Sequence, residues 1–355
     1  MGCASKVLKS DQAEAILRSA DMEEAIDVRE IPAADSKDNG LYVLLPGPEP
    51  VPSAFPAVSA GKPKRVAKTP KTPSGKLLMP AIQMNASEAS AAAMAKMAHA
   101  SGSKHEPAIE DGAGFIARRP AVDPFRVGEK VTLEVSYFSV VAGDMTVETR
   151  GFAEVNGRKS YRFAGTAKST SVFALFYAID DWYESFVDFE TLVPAAYALH
   201  VKETKQIREV RTIFDWVTRK GRYIDKKIND EQQLEEKNEE WDIPDYSQNV
   251  FSAVYYLRTF KLVPGFKTQI RVAHEGKNLI LNAEVVRREK ISTPAGDFNT
   301  VVIKPTISLD GKFSPVGDIF VWLTDDDRKF LVRIESKLKI GKVVGVAKAL
   351  ELGKP

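Results

Sequence analysis

From Phe125 onward the chain is written in period two. Glu129–Phe138 reads EKVTLEVSYF, with Val131, Leu133, Val135 and Tyr137 alternating against polar partners. Such alternation sets one face of an extended strand on a core and the other in water. It continues over Asp144–Glu154 and returns over Arg158–Thr170, with Tyr161 and Phe163, after Asn156-Gly157, a type I′ hairpin signal. Further strand-like runs are Phe176–Val187, Ala195–Glu203, Gln206–Val217, Gly221–Ile228, Lys267–His274, Leu279–Ile291, Phe298–Leu309, Gly317–Leu323, Phe330–Lys339 and Lys342–Leu350. Turns at Glu275-Gly276-Lys277, Pro294-Ala295-Gly296, Asp310-Gly311, Asp325-Asp326-Asp327 and Gly341 separate the later ones. About a dozen strands at this spacing predict a mainly all-β fold, an antiparallel β-barrel or highly curved sheet.

One helix interrupts the strands. Ser247 is placed to cap it, Tyr246 and Phe251 to staple it, and Val250, Phe251, Val254 and Leu257 to form its buried face. Pro264-Gly265 ends it. With Tyr255, Tyr256 and Phe260 beside it, this helix is expected to plug or cap one barrel end. The preceding residues 229–245 (NDEQQLEEKNEEWDIPD) read as a solvated acidic loop.

The first third has another texture. Residues 46–80 hold nine prolines interleaved with Lys62, Lys64, Arg65, Lys68, Lys71 and Lys76. Proline fixes φ and removes donors, so this stretch is expected to be extended polyproline II and to serve as a solvated spacer. No aromatic is interleaved with the basic residues for base stacking, and the net charge of the whole chain is only +2, so nucleic acid is not an expected partner. Residues 85–100 are Ala-rich and favour an isolated helix in that linker. Residues 10–31 read as a short acidic helix with Ala13, Ile16, Leu17 and Ala20 on one face, stopped by Pro32. The expected division is therefore residues 1–45 as an anchor region, 46–123 as a disordered Pro/Lys- and Ala-rich linker, and 124–355 as a β-barrel-like domain.

The anchor is Cys3, the only cysteine. Gly2-Cys3-Ala4-Ser5 has the grain of a bacterial lipobox, in which small residues admit the peptidase and the thiol takes the lipid. The hydrophobic signal segment that should precede it is not in the sequence, which is expected if the start lies at an internal Met or near the processed end. N-myristoylation is the rival, but it wants Ser or Thr where Lys6 stands. No run of eighteen apolar residues occurs that would make a transmembrane helix. Ala4, where retained lipoproteins commonly carry Asp, points toward the outer membrane.

The residues from Pro124 to about Gly345 carry a family pattern. It comprises Phe125-x-x-Gly128-Glu129, Gly143, Asp180–Glu184 (DDWYE), Ser252-x-x-Tyr255-Tyr256-Leu257-Arg258 with Gly265, Thr293-Pro294-Ala295-Gly296-Asp297-Phe298, and Val321–Arg328 (VWLTDDDR). In order and spacing it resembles a bacterial envelope family known only as domain of unknown function 3108. The resemblance implies an exported or lipid-anchored β-rich domain. It supplies no catalytic residues.

Nor do the residues themselves. His99, His105, His200 and His274 are scattered without metal-ligand spacing, and there is no G-x-S-x-G or P-loop. No cofactor is implied. Asp325-Asp326-Asp327 lacks the spacing and Gly of a calcium loop and reads as a solvated turn. The sequence thus predicts a non-enzymatic lipoprotein of the cell envelope, held in the outer membrane by a lipid on Cys3 and facing the periplasm, whose head binds or scaffolds an envelope component. One alternative makes the head a carrier of a lipid or other apolar ligand, with Tyr255, Arg258 and Trp182 as contact residues, although Arg258, amid aromatics on the helix, reads first as a buried structural charge paired with a carboxylate. Another is a glycan hydrolase using Asp180, Asp181 or Glu184, which requires two carboxyls facing one cleft roughly 5–10 Å apart.

Overall fold

The computed structural model describes residues 10–18, 20–31, 122–309, 312–314, 318–337 and 341–354. Cys3, the Pro/Lys-rich stretch and the Ala-rich run lie outside them. Two antiparallel meanders make the sheet. The first is β2 (Glu129–Tyr137), β3 (Val140–Thr149), β4 (Ala153–Val155), β5 (Arg158–Ser169), β6 (Asp180–Asp188), β7 (Pro194–Glu203), β8 (Gln206–Asp215), β9 (Lys220–Asn229) and β10 (Leu234–Asp242). The second is β11 (Lys267–His274), β12 (Lys277–Thr293), β13 (Gly296–Leu309), β14 (Lys312–Ser314), β15 (Asp318–Thr324), β16 (Leu331–Lys337) and β17 (Lys342–Leu352). They are stitched where β17 pairs with β2, Val343 opposite Tyr137 and Leu352 opposite Glu129. Burial along β2 alternates at every residue, as its sequence predicts. We call the end carrying the β2–β3, β7–β8 and β16–β17 turns the upper end.

The sheet is large and curved but not closed. Among the described residues, β10 and β11 share no ladder. The chain between them fills the gap instead. The Ile243 N–H donates to Arg219 O (2.9 Å), that of Gln248 to Arg271 O (2.8 Å), and that of Ala273 back to Gln248 O (2.8 Å). Side chains bridge the rest. Trp241 Nε1 donates to Asn278 Oδ1 (3.2 Å), Asn278 Nδ2 donates to Asp242 O (2.8 Å), and Arg208 holds Asp225 while reaching Glu275 at 3.0 Å.

Residues 229–245 are not a loop. They contain β10, an exposed edge strand with no apolar alternation. Its ladder with β9 is electrostatic in composition: Glu236 faces Lys226, Lys237 faces Asp225, Glu240 faces Arg222 and Asp242 faces Lys220. Cross-strand pairs of opposite charge each stabilise by a few tenths of a kcal/mol to ~1 kcal/mol, and a charged edge resists pairing with other chains.

The interrupting helix, α4 (Val250–Leu257), starts two residues later than Ser247 predicts. It is preceded in the chain by α1 (Ser10–Leu17), α2 (Ala20–Glu23) and α3 (Ser171–Ala174). Asn249 is its N-cap. Asn249 Oδ1 accepts from the N–H groups of Phe251 (3.0 Å) and Ser252 (2.8 Å), and Ser252 Oγ accepts from the Asn249 N–H (2.9 Å). Ser247 Oγ donates to Pro244 O instead. The helix is buried on nearly every side, not on one stripe.

Residues 10–31 are not a freestanding helix either. Ala13 and Leu17 pack on Ile228 and Ile207, Glu14 pairs with Lys202 (2.6 Å) and Arg18 approaches Glu209 (3.6 Å). Ile16 and Ala20 face water. The segment then runs down the outside of the sheet, and β1 (Val28–Glu30) pairs with β4, Val28 opposite Val155. Its last described residue and the first ones after residue 121 meet the sheet at one corner. The Ile31 N–H donates to Phe152 O (3.2 Å), the Phe152 ring lies 5.1 Å from that of Tyr161, and Tyr161 Oη donates to Asp123 Oδ2 (2.8 Å). The described residues on either side of 32–121, Ile31 and Asp123, are thus both tied to the Phe152–Tyr161 corner.

Candidate functional site

Above α4 the barrel-like interior is not filled. A cavity of about 210 Å³ lies there. Its floor is Val250, Phe251, Val254 and Leu257 of α4; Met145 and Val147 of β3 stand on one side, Leu279 and Leu281 of β12 on another. Toward the upper end the lining continues with Pro305, Ile307, Ile319 and Ile334, all half-buried. The lining is apolar almost throughout. Its ionisable member is Tyr183, whose phenol burial pushes well above the ordinary tyrosine range, so the wall stays uncharged at neutral pH.

The strand register explains the opening. β13 pairs with β15 only from Thr300 to Ile303, opposite Thr324 to Val321. Beyond that, β13 pairs with β14 while β15 goes on with β16. The ladder between the two strands stops short of Pro305 and Ile319. Proline has no N–H to give a ladder and is confined to strand positions with a free side. Here Pro305 keeps its pairing place opposite Ala283 and faces the split on its other side. Lys304 spans the split to Asp318 (3.3 Å). An engineered apolar cavity of ~150 Å³ stays dry and takes benzene, whereas sites for drug-sized ligands measure ~300–1,000 Å³. The size suits one hydrocarbon chain or ring.

None of Tyr255, Arg258 and Trp182 lines this cavity. Tyr255 stacks on Phe163 (centroids 3.7 Å apart) and donates to Glu148 O (2.9 Å) on the far side of α4. Trp182 sits on the outer face of β6 against His200, whose Nδ1 lies 2.7 Å from Glu209 Oε1. Arg258 is a buried structural charge. It grips Glu129 with both ends of its fork (2.6 and 3.1 Å) and donates to Pro124 O (3.0 Å). Arg328 adds a bond to Glu129 (2.8 Å) and another to Pro124 O (2.7 Å), and Thr149 Oγ1 donates to the same carboxylate. The Arg258 guanidinium also lies over the rings of Phe125, Tyr255 and Phe330. Phe125 and Glu129, Arg258, and Arg328, from three places far apart in sequence, thus meet in one clasp at the lower end.

The carboxylates of DDWYE do not share a cleft. Glu184 faces outward between Arg150 and Arg162, and Asp180 pairs with Lys168 (3.1 Å) at the surface. Asp181 projects to the opposite face of β6, where its Oδ1 accepts from the Lys202 N–H (2.9 Å). Burial, and then the Glu203 charge, push its carboxyl up to about 7. In the DDDR turn, Asp326 Oδ1 accepts from Arg328 N, Lys329 N and Thr324 Oγ1, and Asp325 pairs with Arg288. These acids brace strand ends.

Sequence reasoning placed the helix at the site but missed the wall opposite it. Leu279, Leu281, Ile303, Pro305, Ile307, Ile319 and Val321 read as ordinary inward strand residues. The signal was Pro305, a proline in the middle of a long strand run, which marks a place where a ladder stops. No described helix is long and apolar enough to cross a membrane.

Nothing among curated proteins matches the chain. Among solved structures it is similar to a β-barrel-like protein of domain of unknown function DUF1849 from Brucella abortus (10% identity, 64% of this chain and 98% of that one, TM-score 0.41). It is also similar to a Bacteroides fragilis protein described as exported, with a YmcC-like fold (9%, 64% and 98%, TM-score 0.28). A third is a Parabacteroides distasonis protein described as a lipoprotein (11%, 64% and 97%, TM-score 0.26). By sequence, the profile of one family matches residues 132–348, and the chain belongs to that family, the proteins of unknown function DUF3108.

Proposed function

We propose that this protein is an envelope lipoprotein whose β-rich head holds the apolar part of a ligand, an acyl chain or comparable hydrocarbon, in the cavity above α4. The observation that carries the reading is a lining with almost no polar surface in a space too large to be a packing defect. Each methylene moved there from water contributes ~0.8 kcal/mol, so six of them contribute ~5 kcal/mol. The wall offers no charge to a head group, so specificity for the polar part of the ligand falls to the split at Pro305 and Ile319. The lipid on Cys3, the outer membrane and the periplasmic face belong to the same proposal; they are supported by Gly2-Cys3-Ala4 and by membership of the family.

Native mass spectrometry of the full-length protein purified from its host tests the reading. The expected spectrum carries a bound mass of one acyl-chain ligand. Val254→Phe, which fills the floor of the cavity, is expected to abolish that mass without lowering Tm. A protein that purifies empty and fails to brighten 1-N-phenylnaphthylamine or cis-parinaric acid would rule the carrier out.

A further inference from the structure

The upper end of the domain carries large apolar side chains in water. Leu175 is 82% exposed, Phe176 70% and Phe138 61%. Val140 and Val172 are exposed to a similar degree. They come from two neighbouring places, the β2–β3 turn with the start of β3, and the α3 loop between β5 and β6, which begins where the Thr170 N–H donates to Ala142 O of β3 (2.9 Å). The sequence reads Phe176–Val187 as one strand, but the strand begins only at Asp180, and Phe176 is left at a loop tip. These are protruding tips, not a groove. A protein partner would need a matching concavity; a fluid hydrocarbon layer needs none.

Two further features lie at the same end. The split between β13 and β15, where the apolar cavity reaches outward, is one. The start of the N-terminal segment is the other. Glu14 pairs with Lys202, next to the β7–β8 turn, before the segment descends to β1. Seven residues from Cys3 to Ser10 span at most ~25 Å. An anchor on Cys3 would hold this end, and not the lower one, within reach of the bilayer.

We propose that the upper end is a membrane-contacting surface: Phe138, Val140, Val172, Leu175 and Phe176 enter the interfacial layer of a phospholipid bilayer and set the cavity mouth against it. The mouth then exchanges its hydrocarbon chain with the membrane and not with bulk water. That last clause rests on the ligand-binding reading, and the tether on the proposed lipid at Cys3; the exposed side chains carry the membrane contact without either.

The test uses the full chain with Cys3→Ser, so that no acyl group contributes, and vesicles of phosphatidylethanolamine and phosphatidylglycerol. The unacylated protein is expected to float with the vesicles. The triple variant Phe138→Ser, Leu175→Ser, Phe176→Ser, altered only at exposed positions, is expected to keep its Tm and to lose at least tenfold in vesicle affinity. Cys3→Ser also removes the sole thiol, so acrylodan on Leu175→Cys reports depth. Its emission is expected to shift to the blue with vesicles, and that of Val217→Cys at the lower end is not. Equal flotation of parent and triple variant, or an unshifted Leu175→Cys, overturns the proposal. So does a dimer, seen by light scattering, that the triple variant breaks while neither protein binds vesicles. Loop-dependent flotation of a protein that never carries a ligand would sustain the membrane contact and remove the carrier reading.

Discussion

Buried Glu129 accepts from the side chains of two arginines and a threonine and from the Arg126 N–H. The two guanidinium partners stand 129 and 199 residues away in sequence. Removing one member of a buried ion pair strands the other charge, at a cost of ~3–5 kcal/mol. Arg258→Ala leaves Glu129 with Arg328 and Thr149, so it is expected to lower the stability read from urea unfolding by ~3 kcal/mol, the low end of that range, with any co-purified ligand retained in whatever fraction stays folded. Had Arg258 held a ligand's acid group, the same change would empty the cavity first. Asp181 makes the opposite case. Its folded carboxyl titrates near 7 against an ordinary 3.8, so the folded state holds the proton more tightly than the unfolded one. Stability from that proton is present below pH ~4 and is lost as pH rises toward 7 and beyond. Asp181→Asn keeps an oxygen for the Lys202 N–H and removes the penalty. The expected gain is on the order of 2–4 kcal/mol at pH 8 and close to nothing near pH 4, measured as Tm against pH.

At the scale of elements, legibility followed the source of stability. Strands held by an apolar face were readable, because burial writes a period of two into the sequence; β2 and the Asn156-Gly157 turn, with φ of 52° and 76°, are examples. β10 was not readable, because its stability is written in a second strand: LEEKNEEWD acquires meaning only opposite KGRYIDKKIN. The register of α4 was ambiguous for a different reason. Ser247 and Asn249 can both cap a helix, and the choice depends on a serine at the third helical position and on Ser185, which bonds Asn249 Nδ2 at 2.8 Å from another strand. Asn249→Ala is expected to cost ~1–2 kcal/mol through the cap alone. It should also lower ligand retention, since the floor of the cavity hangs from that cap. A variant with unchanged unfolding would show that the cap is not what fixes α4. The clasp was half legible. The family motifs named its members, but nothing in their spacing said that they touch.

For the whole molecule, residues 10–31 dock on the sheet, while the expected spacer of residues 46–80 lies outside the described residues. The described residues on either side of 32–121 both sit beside Phe152 and Tyr161. Replacing residues 34–119 by a Gly/Ser linker of ~12 residues, with an r.m.s. span of ~19 Å, should leave the sheet intact. Three halvings of loop length lower the closure cost by roughly 2 kcal/mol. The shortened protein is thus expected to unfold at higher urea with an unchanged m-value; a lost cooperative transition would mean that the replaced segment carries part of the core.

The seam between β2 and β17 also fixes an order in time. Tyr137 of β2 pairs with Val343 of β17, so a strand that leaves the ribosome early waits for the last one. Pairing across so long a stretch of chain is slow to nucleate. Until the final strand is out, the sheet has no closed seam and β2 offers an open edge, a condition in which a chain can still be threaded through a membrane pore. Chains ended before Lys342 are expected to stay sensitive to protease where the full chain is resistant, which pulse proteolysis of stalled or truncated products would measure. A resistant truncation would show that the sheet folds without its last strand.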